Sequence, residues 1–284
     1  MGSTDQHAGY PGSYGDGRIG ILAESLSRDK IWDAMKNRHV CCATGDKINI
    51  DFRLNDAFPG DVVRGNSRRI YLNVEGGSCI DYIDIVKNRK CIARLSGPLL
   101  PEMPEGDMVR CKVKVDFGWN REEQYVHWQG KLSINKGTIN AVEPCFRGAA
   151  FTSPQPGESE FETKVNRIVS VTSKDAELDM YSSKNPNTTT PATQAVILDV
   201  TMPKDGVITA EFNGKKFEHS LGELLEGSRS HFMIGWLSEA ILFNRAMPES
   251  CFTVEHQRRF AAVPDEGNHR SGRGGDIAAD EFFE

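Results

Sequence analysis

The feature that most constrains the fold is an alternation of apolar and polar residues that recurs along the chain. Ile48, Ile50, Phe52 and Leu54 alternate with polar neighbours, Ile70, Leu72 and Val74 repeat the pattern, and Val109, Cys111, Val113, Val115 and Phe117 carry it furthest. A period of two places every apolar side chain on one face of an extended strand, and such a face is stable only against a second layer. Ile80 to Val86 and Cys91 to Leu95 flank a polar Lys87-Asn88-Arg89-Lys90 turn in the same way. Short strands at this spacing predict a mainly β fold made of β-sandwich modules.

Local signals punctuate the pattern. Ser27 is placed to cap a helix, Asp29 lies in its first turn, Ile31, Ala34 and Met35 recur at helical spacing, and Lys36 and Arg38 lie near its end. These residues predict one amphipathic helix over 27–38. Val207 to Phe212 and Lys215 to His219 flank Asn213-Gly214, a pair suited to the positive φ angles of a type I′ hairpin turn. Ser220-Leu221-Gly222-Glu223 has capping-box spacing for a short helix, and Phe232 to Phe243 has strand-like composition. The Ser, Pro and Gly content after Gly148 reads as a linker or long loop. The expected division is a sandwich over 45–147, a linker at 148–163, a second β-rich region at 164–260 and a polar, flexible tail at 261–284.

Composition removes several classes of function. A net charge of -6 offers no general attraction for nucleic acid or an acidic membrane surface. Apolar runs fall far short of the roughly 20 residues of a spanning helix, and no basic region followed by an apolar run marks a secretory signal, so a cytoplasmic protein is expected. The seven cysteines, with no Cys-x-x-Cys, suit reduced thiols better than a disulfide framework.

The sharpest chemical feature is Asp5-Gln6-His7 in a glycine-rich opening segment. On an extended segment a carboxylate and an imidazole two residues apart project to one side, toward a single metal ion. The run Ser3 to Gly12, with Tyr14-Gly15-Asp16-Gly17, resembles the last metal-binding segment of large proteins related to the PHP (polymerase and histidinol phosphatase) metal-dependent phosphoesterases. Arg28 to Met35, Ala43 to Ile48, Ile50 to Asn55 and Ile80 to Lys90 continue the resemblance.

That resemblance implies that 1–44 is the edge of a distorted (β/α) barrel and that Asp5 and His7 are metal ligands. It also implies that the complete enzyme is a hydrolase using a divalent ion, Mn or Zn, with the other ligands on barrel strands upstream of Met1. Two side chains cannot bracket a metal pair, so the chain by itself is expected to be inactive, with the missing barrel region or a second copy as its partner and its substrate unknown. A different class of function is a stand-alone binding module, its strands or tryptophans engaging a carbohydrate or a protein.

Other motifs read as structural. Gly15 to Gly20 fits a dinucleotide-binding pattern without the βαβ unit that pattern needs. His39, His127, His219, His231 and His256 are isolated along the chain. Trp119, Trp128 and Trp236 suit packing better than a sugar groove, and Arg110, Lys112 and Lys114 read as the wet face of a strand.

Overall fold

A computed structural model describes residues 2, 17–45, 47–64, 67–98, 102–120, 125–146, 151–152, 164–182, 193–236, 238–260 and 277–278. The chain is mainly β. It opens with β1 (Gly17–Ile21), α1 (Arg28–Lys36) and β2 (Val40–Thr44), continues through β3 (Asn49–Leu54), β4 (Val62–Val63), β5 (Arg68–Glu75), β6 (Tyr82–Lys87) and β7 (Lys90–Ser96), and reaches the long strands β8 (Val109–Gly118), β9 (Val126–Ile134) and β10 (Thr138–Cys145). After the short β11 (Phe151–Thr152) and β12 (Lys164–Val165) come β13 (Arg167–Val171), β14 (Asp175–Ser182), β15 (Gln194–Met202), β16 (Val207–Phe212) and β17 (Lys215–Ser220). The last elements are α2 (Leu221–Glu226), β18 (Arg229–Phe232), β19 (Ala240–Phe243), β20 (Met247–Pro248), α3 (Glu249–Phe252), β21 (Thr253–Phe260) and β22 (Ile277–Ala278).

Two antiparallel sheets face one another. One has the order β10-β15-β8-β19-β18, with β20 also on β8, and the other has the order β13-β14-β9-β16-β17. The alternation of β8 is realised as predicted, since Val109, Cys111, Val113, Val115 and Phe117 all enter the core. They meet Trp128 and Leu132 of β9 and Ile208, Ala210 and Phe212 of β16. Phe117 closes the middle, 5.6 Å from Trp128 and 4.7 Å from Phe212 by ring centroids. The indole N–H of Trp128 is satisfied internally: it donates to Ser182 Oγ at 2.8 Å, and that hydroxyl donates to Asn120 Oδ1 at 2.6 Å.

A smaller unit packs beside the sandwich. Its sheet has the order β21-β5-β3, and the β6–β7 hairpin packs Ile85 against an apolar face built from Phe52, Leu54, Ile70, Leu72 and Val74. The eight-residue register from Thr253↔Glu75 to Phe260↔Arg68 brings the chain back to where it began. The domain limits read from sequence are therefore redrawn. The segment 148–163, expected to separate two modules, lies between strands of the same two sheets, for β9 pairs with β14 and β16 while β8 and β10 both pair with β15. The sandwich spans β8 to β20, and 45–147 divides between it and the smaller unit. Period-two alternation identifies strands but carries no information about their partners, which is why the expected limits fell in the wrong place.

Local expectations fare better. Asn213 and Gly214 take φ of 49° and 76°, as a type I′ turn requires, and Asn88 and Arg89 form a second turn of the kind at 49° and 62°. Both halves of the capping box at Ser220 and Glu223 are formed. The helix predicted over 27–38 is the shorter α1; Ser27 makes no side-chain cap, and Ala34 is its one buried residue. Within 261–284, expected as a flexible tail, β22 pairs with β4. No helix among the described residues is long and apolar enough to cross a membrane.

The two units are joined through charge. Lys112, read from sequence as solvated, is 2% exposed because the smaller unit covers the outer face of β8. Its ammonium lies 2.9 Å from Glu75, 3.1 Å from Glu143 and 2.9 Å from the Gly76 carbonyl, and 4.8 Å above the ring of Phe252. Arg110 beside it reaches Asp199 at 2.6 Å, Glu249 at 2.7 Å and Glu75 at 2.9 Å.

Candidate functional site

Asp5 and His7, the metal ligands implied by the family resemblance, lie outside the described residues. Among the described residues no three His, Cys, Asp or Glu side chains converge as a metal site. Trp128 is fully buried in the core, whereas Trp119 and Trp236 are exposed near one end of the sandwich, where Gly118 pairs with Ala240. The histidines that look isolated in the sequence are mostly paired in space. His39 meets Asp61 at 2.9 Å, His127 meets Asp179 at 2.6 Å, and His219 meets His231 at 2.6 Å.

The richest arrangement of polar groups is on the outer face of the sheet β13-β14-β9-β16-β17. Strand geometry sets its composition: with Trp128 and Leu132 of β9, Leu178 and Met180 of β14, and Ala210 and Phe212 of β16 pointing into the core, the intervening residues must point out. Those residues are His127, Gln129 and Lys131, then Glu177, Asp179 and Tyr181, then Glu211. The register aligns them in rows, Glu211 and Glu177 on either side of Lys131, Asp179 opposite Gln129 and Tyr181 opposite His127. Opposite charges directly across strands attract, so the Glu–Lys–Glu row favours this register as well as lining the face.

These rows form an open cleft of about 520 Å³, lined by Gln129, Lys131, Val169, Glu177, Asp179, Glu211 and Asn213 among others. One wall is held rigidly. Asn213 Oδ1 accepts the Gln129 backbone N–H at 3.1 Å, and its amide donates to the His127 carbonyl at 2.9 Å, tying the hairpin turn to β9. Gly130 lets β16 close in, since a Cβ there would sit 2.0 Å from the Glu211 carbonyl oxygen. At the end of the cleft His127 stacks flat on Tyr181, with centroids 4.3 Å apart and planes 6° from parallel. Asp179 orients that stack by its bond to His127 Nε2 and also lies 3.6 Å from Arg167.

The arrangement offers carboxylates and an amide as acceptors and donors, one ammonium and the exposed Val169, beside the stacked His127–Tyr181 pair. Sequence reasoning did not single out Gln129, Lys131, Glu177, Asp179, Glu211 or Tyr181. The available signal was the polar half of each alternating strand, and only the strand register shows that these halves form one surface.

At the sandwich's open edge His219 of β17 faces His231 of β18, with Phe217 stacked on His231 at 4.4 Å. Burial, followed by the proximity of His219, holds the His231 imidazole below the ordinary histidine range. Family models, curated proteins and solved structures yield no match to this chain.

Proposed function

We propose that this protein is a carbohydrate-binding β-sandwich module whose ligand lies across the outer face of β14, β9 and β16. The observation that carries the reading is the cleft lined by Gln129, Lys131, Glu177, Asp179 and Glu211, running up to the His127–Tyr181 ring stack. Carboxylates, amides and an ammonium exchange hydrogen bonds with hydroxyl groups, and the exposed Val169 adds an apolar contact. The excess of carboxylates over ammonium in the lining favours neutral sugars over acidic ones.

The test is electrophoresis of the full chain through gels containing soluble neutral polysaccharides, with wild type beside Glu177→Gln/Glu211→Gln and Tyr181→Ala. Retardation by at least one polysaccharide, lost in both variants, is the expected result. Unretarded wild type across β-glucans, α-glucans, mannans and xylans, or retardation unchanged in both variants, would sink the proposal.

The resemblance over residues 3–95 favours a second reading compatible with the first: the chain is the C-terminal part of a PHP-like metal-dependent hydrolase, and the sandwich is its accessory module. Asp5 and His7 would then be two of the ligands for Mn or Zn. Two ligands do not bracket a metal pair, so in this reading the chain alone carries no hydrolytic step. Equilibrium dialysis of Mn or Zn against wild type and Asp5→Ala/His7→Ala tests it. Tight binding abolished by that double change would show a complete site and overturn the claim of inactivity.

A further inference from the structure

We propose that Cys79 and Cys251 form an oxidative modification site, a thiol pair that glutathione disulfide closes to a disulfide, fastening the smaller unit to the end of the sandwich. The pairing follows from the backbone. Beyond the last ladder pair, Thr253↔Glu75, the Gly76 N–H donates to the Phe252 carbonyl and the Ile80 N–H to the Cys251 carbonyl, both at 2.8 Å. Cys79, next to Ile80, is thereby held against α3, and its thiol is in hydrogen-bonding contact with that of Cys251. Both are free thiols. From such a contact a sulfur–sulfur bond of roughly 2.05 Å is a small movement away, and Gly77, between the two anchoring hydrogen bonds, gives the loop that freedom.

Unequal access sets the role of each thiol. Cys79 lines an open cavity of about 450 Å³, together with Ile50, Val74, Ile80 and Tyr82 among others, so a small reagent can approach it. Cys251 is fully buried. Burial, followed by the presence of Cys79, pushes the Cys251 thiol up, while the Ser250 hydroxyl and the charge of Arg245 favour its thiolate. Cys111, also near Cys251, is fully buried and pushed up to about 12, chiefly by burial, which leaves it out of the exchange.

Cys79 therefore attacks and Cys251 resolves. Cys79 gives its proton to water, displaces one glutathione thiolate from the disulfide and keeps the other glutathione as a mixed disulfide. Cys251 then loses its proton, attacks the Cys79 sulfur and releases the second glutathione. Two protein thiols are oxidised, and one glutathione disulfide is reduced to two glutathione thiols. Cys79 precedes β6 and Cys251 follows β20, so the bond closes a loop holding every strand between them and restricts the unfolded chain accordingly. The site uses no cleft residue and neither Asp5 nor His7, so its test is separate from both readings above.

The full chain is incubated with glutathione disulfide, remaining thiols are alkylated, and unreduced peptides are read by mass spectrometry. The expected product is a cross-linked Cys79–Cys251 peptide that reduced glutathione removes, with Tm about 5–10 °C above that of the reduced chain. Cys251→Ala should lose both signals and retain a glutathione adduct on Cys79. Cys79→Ser, at a partly exposed position, should lose both signals and fold as the wild type does by circular dichroism. The exposed Cys42 and Cys91 take up glutathione singly and show that the oxidant is active. Adducts on those two without the cross-linked peptide would overturn the assignment, as would a cross-link that leaves Tm unchanged or a Tm gain that survives Cys79→Ser.

Discussion

Replacing Lys112 with Ala should cost about 3 kcal/mol of stability, at the low end of the range for breaking a buried ion pair from one side. The low end follows from what is left behind. Glu75 keeps its 2.9 Å contact with Arg110 and is 31% exposed at the side chain, so its charge stays compensated. Glu143 does not fare as well: its side chain is 11% exposed, Lys112 is its ion-pair partner, and its Oε2 already lacks a hydrogen bond. Removing Lys112 therefore strands one buried carboxylate and also deletes a side chain packed against Phe252. Urea unfolding followed by tryptophan fluorescence reads the effect as a fall in midpoint of about 1 M, for an m-value near 3 kcal/mol/M. The double variant Lys112→Met/Glu143→Leu removes both charges while keeping the volume, and should recover to within about 1 kcal/mol of wild type. A single-variant loss under about 1 kcal/mol, or a double variant no better than the single, would refute the claim that this charge is buried and needed.

The same cluster sets an acid limit. Burial pushes the Glu75 carboxyl up, but the hydrogen bond and charge of Lys112 and the charge of Arg110 outweigh it and hold the group below its usual 4.5. An acid depressed on folding stabilises the native state above its unfolded pKa, and that contribution is lost as pH falls through the lower folded value. Stability should therefore decline below about pH 4.5, and less steeply in Lys112→Ala; equal slopes would contradict the assignment. Arg89 holds a φ of 62°, so Arg89→Gly should raise stability by about 0.5–1 kcal/mol by relieving a left-handed conformation, checked by the urea midpoint. Ser220→Ala removes the cap that accepts the Glu223 backbone N–H and should cost about 1 kcal/mol in the same assay. Gly130→Ala drives a methyl into the β16 backbone and should cost about 3 kcal/mol or prevent folding, whereas tolerance of it would show that β9 and β16 are not this close.

What was legible in the sequence was local. The Asn213-Gly214 turn and the Ser220–Glu223 box are decided within four residues, and the structure keeps both. The alternation of β8 correctly placed its apolar half in a core. Its polar half was misread at Lys112 because a pattern of two distinguishes one face from the other but cannot tell whether a distant part of the chain covers the second face. The cleft was invisible for a related reason. His127 to Lys131, Glu177 to Tyr181 and Glu211 are separated along the chain by loops, and their union follows from strand order alone. His219 and His231 read as isolated because their spacing matches no local motif, although the two edges of the sandwich bring them into contact.

The return of β21 to β5 has a consequence for how the molecule assembles. The smaller unit's strands β3 and β5 precede the sandwich in the chain and β21 follows it, so that sheet is complete only after every strand of the sandwich has been made. The sandwich between them can form first, and its folding shortens the remaining search. Once β20 has paired with β8, Pro248 sits opposite Cys111, and the few residues of α3 carry the chain straight to the waiting edge of β5. A closure that would span most of the chain becomes a short one, with a correspondingly smaller entropic cost. The sandwich is in this sense an insertion within the smaller unit, and its native pairing holds the two ends of that insertion close together.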